Sequence, residues 1–167
     1  MADATAVYGA HPTQSEIDEV LEQRRSAALG TLNEDGSIHL TYVIFLHESG
    51  RLYLETSSVT RKARNVVARA RATMMIQGPA STGRSLMVAA EGTARVIRGA
   101  EARAINRRLR AKYIRPEALD AIVRAWSRFD DVAIEITPRR WRSWTGDVLH
   151  AETEKELESN YDDAWID

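Results

Sequence analysis

AALGTL (Ala27–Leu32), IHLTYVIFLH (Ile38–His47) and RLYLET (Arg51–Thr56), separated by EDGS (Glu34–Ser37) and ESG (Glu48–Gly50), form the stretch that decides the fold. Ala27–Leu32 is a short apolar run of the buried-strand kind. Ile38–His47 is rich in β-branched and aromatic residues, and Arg51–Thr56 puts Leu52 and Leu54 on one face. Both gaps hold turn-forming residues. Three strands joined this tightly predict an antiparallel meander, and the strand–helix–strand rhythm of a parallel sheet is absent.

Downstream, Thr60 to Ala70 has helical spacing, with Ala63, Val66 and Val67 on one side and Thr60 as its cap. Thr73–Gln77 and Leu86–Arg98 read as strands around the loop Gly78–Gly83, with Glu91-Gly92 as a bulge. Two helices follow. Ala102, Ile105, Leu109 and Tyr113 mark the first; the second opens at Pro116 and aligns Leu119, Ile122, Val123, Trp126 and Phe129. Val132–Thr137 alternates as a last strand that Pro138 limits. Upstream, Ser15 reads as the N-cap of a helix carrying Ile17, Val20 and Leu21, with Asp18 three residues on. The sum is an α+β fold, mostly antiparallel, of about six strands closed into a small barrel with helices over its ends. Residues 15–150 read as one domain, residues 1–14 as an N-terminal arm and residues 151–167 as an acidic tail.

Composition narrows the chemistry. A chain of 167 residues, 44% hydrophobic and 28% charged, can close a core without cross-links. It has no cysteine, which excludes disulfides, thiolate metal sites and cysteine nucleophiles. No apolar run approaches the roughly 20 residues of a membrane helix, and residues 1–14 lack a signal-peptide pattern, so the expected location is the cytoplasm. The net charge of −1 conceals five cations and no acid between Arg61 and Arg71, against seven acids and one lysine between Glu152 and Asp167. A dedicated nucleic-acid binder usually carries a broader basic field, so no nucleic-acid partner is expected.

The chemically informative segment is LETSSVTRKARN (Leu54–Asn65). It runs from a strand through hydroxyl residues into a helix start loaded with cations. A helix N-terminus offers unpaired N–H groups and the positive end of a dipole, so an anion is favoured there. Thr56, Ser57, Ser58 and Thr60 add hydroxyls, and Arg61 and Lys62 add charge. Cations are locally unfavourable at a helix N-terminus unless an anion sits among them. A plainer reading stands beside this one, with Thr60 simply capping and the basic residues forming a solvated face.

His11, His39, His47 and His150 lack metal-ligand spacing, and no metal site is expected. Phosphate-loop, dinucleotide and serine-elbow motifs are also absent. Glu55 and Glu91 read as surface or barrel-mouth carboxylates. With no credible nucleophile, catalytic side chains stay unassigned, and any difficult chemistry belongs to a cofactor. Trp126 reads as packing. Of Trp141 and Trp144, at least one packs, and the other is placed to stack beside a ring system.

TSSVTRKARNV (Thr56–Val66), SLMVAAEGTARV (Ser85–Val96) and AIEITPRRWRSWTG (Ala133–Gly146), in this order and spacing, resemble the pyridoxamine 5'-phosphate oxidase-like split β-barrel superfamily. The resemblance implies a six-stranded split barrel with peripheral helices and a homodimer with two shared cofactor sites. It places Thr56, Arg61 and Lys62 on the cofactor phosphate and Trp144-Thr145-Gly146 in the cofactor–substrate region. Two features of the oxidases themselves are missing. His39 stands where their second strand carries arginine, Ile44 where it carries lysine, and only Leu149-His150 echoes their C-terminal substrate signature. The chain is therefore more similar to the actinobacterial branch that uses the deazaflavin coenzyme F420 or FMN.

The resulting expectation is hydride transfer between F420 and a conjugated small-molecule acceptor such as a quinone or a tetrapyrrole. FMN-dependent oxidase or reductase activity and non-catalytic cofactor binding are the alternatives. Thr56, Ser57, Ser58, Arg61 and Lys62 would hold the phosphate. His39, Leu40, Thr41, Tyr42 and Val43 would flank the ring, and Trp144 of a partner chain would close the site.

Overall fold

The computed structural model describes residues 10–160. Among these, five helices surround a seven-stranded antiparallel sheet. In chain order the elements are α1 (Gln14–Glu22), β1 (Ser26–Leu32), β2 (Ile38–Ile44), β3 (Leu46–Glu48), β4 (Arg51–Ser57), α2 (Arg61–Arg69) and β5 (Arg71–Pro79). They continue with β6 (Ser85–Ile97), α3 (Gly99–Tyr113), α4 (Pro116–Trp126), β7 (Asp131–Thr145) and α5 (Asp147–Leu157).

The strand order β2-β1-β5-β6-β7-β4-β3 forces the sheet to curl. β2 and β3 occupy opposite edges, yet only Phe45 separates them in sequence. Laid flat, seven strands would hold those edges roughly 29 Å apart, whereas the two residue steps from Ile44 to Leu46 span at most about 7 Å. The edges must therefore meet, and the sheet becomes a split barrel in which β2 approaches β4 without a hydrogen-bonded ladder.

Phe45 is fully buried at this bend. The Tyr113 hydroxyl lies 2.9 Å from its carbonyl oxygen and 3.0 Å from that of Arg25, and it accepts from the Phe45 N–H at 3.3 Å. Ile38–His47 is thus two strands rather than one, because the backbone at Phe45 turns its hydrogen bonds to a tyrosine on α3. The expected meander is corrected with it: β2 pairs with β1 and β3 with β4, at the two ends of the sheet.

Strict alternation fills the barrel. β5 is buried at every second residue, and Leu29, Met74, Ile76, Leu86, Val88, Leu52, Leu54, Ile134 and Ile136 point inward. Val20 and Leu21 of α1 and Val66 of α2 join this core. Tyr53 and Ala133, on the opposite face of β4 and β7, pack with Ile97, Ala102 and Ile105 and so attach α3 to the outside of the barrel.

Two expected boundaries move. α1 begins at Gln14, capped by Thr13, since Thr13 and Glu16 form a reciprocal capping box that Ser15 does not. β7 does not stop before Pro138 but runs on to Thr145. Its ladder to β6 pairs Glu91 with Arg140 and Gly92 with Pro138, leaving Arg139 as an extra residue. A bulge accommodates a proline that lacks an N–H. Gly92 permits the close approach, because a Cβ there would lie 2.1 Å from the Thr137 carbonyl oxygen.

Of the expected N-terminal arm, residues 1–9 lie outside the described part. Pro12 is buried, and the Ala10 carbonyl accepts from Arg84 at 2.5 Å. Of the expected tail, the part to Leu157 extends α5, and residues 161–167 lie outside the described part. No described helix is long and apolar enough to cross a membrane.

Candidate anion and cofactor site

β4 ends at Ser57 and α2 starts at Arg61, so the loop between them is held at both ends. Thr60 caps α2: its hydroxyl accepts from the Ala63 N–H at 3.4 Å and lies 2.9 Å from the Ser57 carbonyl. The Thr56 and Thr60 hydroxyls meet at 3.0 Å, and the Thr60 N–H donates to the Ser57 carbonyl at 3.1 Å. In the middle of the helix, Asn65 donates to the Thr31 hydroxyl at 3.1 Å and to Asn33 at 2.9 Å, which locks α2 onto β1 and its turn. The loop is preorganised by its own hydroxyls and by an asparagine behind it.

What it leaves available is a set of unpaired donors at the start of α2. Among the described residues, the N–H groups of Arg61 and Lys62 have no hydrogen-bond acceptor, as expected for the first positions of a helix. Lys62 is half-buried, and desolvation holds its ammonium below the usual lysine range. No carboxylate lies within ion-pair distance of it among the described residues. Arg61 is exposed at the rim, beside a groove that also includes Asp35, whose carboxyl is held low chiefly by Ser37 and slightly by Arg61. The Ser58 hydroxyl is engaged by the Asp130 carboxylate, and the Ser58 N–H donates to the Asp130 carbonyl at 3.4 Å.

Thr56, Ser57, Ser58, Arg61 and Lys62 therefore converge on one loop. β2, which carries His39, Leu40, Thr41, Tyr42 and Val43, lies across the open seam from β4. Along it His39, Thr41 and Val43 are partly covered, whereas Leu40 and Tyr42 are exposed on the outer face. Trp144 is not brought to this loop by its own chain. It faces Met87 near the end of β7, roughly 40 Å of strand beyond Val132, which pairs with Thr56. Trp141 instead packs edge-on against His47, with centroids 6.1 Å apart. Trp126 covers the Arg110 guanidinium at 5.1 Å.

Sequence reading missed a polar cluster directly behind the loop. Arg110 is 2% exposed and donates to Glu55 and to Asp131 at 2.7 Å each. Glu55 is therefore no simple surface carboxylate. The available signal was Asn106 and Arg110, four apart on the same helical face as Ala102 and Leu109.

Residues 13–145 match the family described as pyridoxamine 5'-phosphate oxidase. The chain belongs to that family. Solved structures of the same fold agree with a split-barrel member of it. A conserved hypothetical protein of Mycobacterium tuberculosis, Rv2991, is 22% identical with a TM-score of 0.70, over 89% of this chain and 92% of that one. An F420 reductase is 22% identical with a TM-score of 0.57, over 78% of this chain and 98% of that one. HutZ, a heme storage protein of Vibrio cholerae, is 15% identical with a TM-score of 0.62, over 78% and 94%. Comparison with curated proteins gives no significant match. For a pyridoxamine 5'-phosphate oxidase family member, the donor set between β4 and α2 suits the phosphate of a flavin-type cofactor: the Thr56 and Ser57 hydroxyls and, among the described residues, two N–H groups without acceptors and an ammonium with no carboxylate partner.

Proposed function

We propose that the protein is an oxidoreductase that binds the deazaflavin F420 in the seam between β2 and β4. The observation that carries this is Lys62: among the described residues, a half-buried ammonium without a carboxylate partner, next to two helix N–H groups without acceptors and the Thr56 hydroxyl. Bound there, the deazaflavin supplies a hydride carrier for a conjugated acceptor such as a quinone or a tetrapyrrole. The protein's own part is placement. Thr56, Ser57, Arg61 and Lys62 hold the phosphate, Ser58 being taken up by Asp130, and the β2 backbone from His39 to Val43 flanks the ring. The choice of F420 over FMN rests on His39 in place of a second-strand arginine, which leaves Lys62 and Arg61 as the cationic anchor.

The reading includes a homodimer. Ile38, Leu40 and Tyr42 are 70%, 67% and 80% exposed on one face of β2, and Tyr42 continues through Ala28 to Met75 across three strands. An apolar sheet face of this kind is suited to covering by a second copy. That copy would also bring its Trp144 toward a site that the chain's own Trp144 does not reach. Light scattering tests the dimer directly.

Titration of the purified chain with F420 and with FMN, followed by fluorescence, tests the cofactor. F420 is expected to bind more tightly, and Lys62→Ala to weaken it by about tenfold or more. Equal binding by wild type and variant, or no binding of either compound below roughly 100 µM, removes the proposal.

A further inference from the structure

Behind the β4–α2 loop, two carboxylates share one guanidinium. Arg110 of α3, almost wholly buried, donates to Glu55 Oε2 and to Asp131 Oδ2 at 2.7 Å each. Neighbouring charges on the packed elements are matched among themselves. On α3, Arg107 pairs with Asp120 of α4 at 2.7 Å, and Arg108 with Glu48 of β3 at 2.9 Å. On β7, Glu135 pairs with Arg95 at 2.8 Å and with Arg51 at 3.5 Å. Arg124 and Arg128, at and beyond the end of α4, are exposed to solvent. Arg61 and Lys62 of α2 are the cations on the loop side. The cluster itself holds one carboxylate more than it has cations.

This excess sits against the loop. Glu55 precedes Thr56 on β4, Asp131 pairs with Ser57 in the β4–β7 ladder, and Asp130 holds Ser58 by carboxylate and carbonyl. A phosphate held by Thr56, Ser57, Arg61 and Lys62 adds negative charge beside it. Like charges disfavour one another, most where little water screens them. Glu55 can discharge the excess. Arg110 bonds its Oε2, and among the described residues Oε1 makes no hydrogen bond, so a proton there leaves the Arg110 bond in place. Burial, opposed by Arg110 and reinforced by Asp131, already pushes this carboxyl up to about 7. Near neutral pH it is divided between two protonation states, where added charge changes the proton count most.

We propose that Glu55 takes up a proton when the cofactor phosphate occupies the β4–α2 loop, so that cofactor affinity falls as pH rises. This regulation of the site rests on the cofactor reading above. By linkage, an anion that favours the protonated carboxyl is itself bound more tightly by the protonated chain. The gain is complete below the titration range of the free chain and lost as pH rises through that of the loaded one.

Calorimetric titration of the full chain with F420 at pH 7.3, in PIPES and in imidazole, counts the protons exchanged, since the two buffers differ in heat of ionisation. Wild type is expected to take up roughly 0.4 proton more than Glu55→Gln. Between pH 6 and pH 8.5 its Kd is expected to rise about fourfold more than that of the variant. Lys62 and the cofactor's own groups titrate in both proteins and cancel in the difference. In wild type alone the uptake is expected to fall away at pH 5.5, where Glu55 holds its proton before binding. That comparison needs no variant, so it decides the matter even where Glu55→Gln fails to fold. Equal uptake by wild type and Glu55→Gln overturns the proposal, as does a wild-type uptake as large at pH 5.5 as at pH 7.3. Either result with F420 bound leaves the cofactor reading standing. If FMN alone binds, the same comparison with FMN decides in the same way, and binding of neither compound removes both proposals.

Discussion

Arg110 donates through Nε to the Glu55 carboxylate at 2.7 Å, from a guanidinium that is almost wholly buried. Its other arm donates to Asp131 at 2.7 Å. Asn106, one turn earlier on α3, donates to Asp131 at 2.7 Å and to the Val132 carbonyl at 3.3 Å. Asp131 pairs with Ser57 in the β4–β7 ladder, so α3 grips both strands where the β4–α2 loop begins. One cation stands between two carboxylates, which leaves negative charge in excess away from water. Burial pushes the Glu55 carboxyl up to about 7, opposed by Arg110 and reinforced by Asp131.

Removing the cation is the severe change. Arg110→Met deprives Glu55 and Asp131 of their shared donor and leaves both half-sealed behind α3. A loss of about 3–5 kcal/mol is expected at pH 8 in urea unfolding. A loss under about 1 kcal/mol would show that water reaches the carboxylates freely.

Removing the excess charge has the opposite sign. The unfolded Glu55 carboxyl titrates at its ordinary value of 4.5 and the folded one at about 7. Between those values the native chain holds the extra proton, so its stability falls as pH rises through that window. Glu55→Gln stays neutral and keeps an oxygen for Arg110. It is expected to match wild type near pH 5 and to exceed it by about 1–3 kcal/mol at pH 8. Melting curves at the two pH values decide this, and an equal difference at both contradicts a raised carboxyl.

The same cluster shows what could be read from the sequence. The β4–α2 loop and its Thr60 cap were legible because their parts are contiguous: a strand end, hydroxyls, a cap and a helix start within Leu54–Lys62. Arg110 and Asp131 were not, because Arg110 lies 55 residues from Glu55 along the chain and 21 from Asp131, and only the fold brings the three together. The strand pattern was legible wherever alternation is strict, as in β5, and the Glu91-Gly92 bulge was visible as a glycine inside a strand. The Phe45 bend was not visible, since the apolar run through it has no break in period and its partner Tyr113 is 68 residues distant. Thr13 against Ser15 was decidable in principle: Glu16 three residues after Thr13 completes a capping box.

Gly92→Ala tests the bulge. Its Cβ would stand 2.1 Å from the Thr137 carbonyl oxygen and 2.8 Å from Pro138 Cα, both backbone atoms that cannot rotate aside. β6 and β7 must separate locally, at an expected cost of about 2–4 kcal/mol. Gly30→Ala is the control, since its Cβ finds nothing nearer than 3.6 Å. It is expected to stay within about 1 kcal/mol of wild type in the same urea titration. Equal costs for the two would mean that the ladder adjusts around residue 92.

Glu16 should set the acid limit of the fold. Its buried carboxylate accepts from the Thr13 N–H at 2.8 Å, from the Thr82 hydroxyl at 2.8 Å and from Arg84 at 3.2 Å. Arg84 also donates to Asp147 at 2.8 Å, so one carboxylate links α1, the β5–β6 loop and the start of α5. The Thr13 N–H above all, then the Thr82 hydroxyl, hold Glu16 down at about 2 against an ordinary value of 4.5. A depressed carboxylate contributes stability that is complete above its unfolded value and disappears as pH falls through its folded one. Glu16→Gln loses the charge while keeping the shape. Its melting temperature should therefore lie below wild type at pH 7, with the gap closing as pH falls from 4.5 toward 2. Melting both proteins across that range checks it: a gap that stays constant down to pH 2 would mean that Glu16 acts through packing and neutral hydrogen bonds alone.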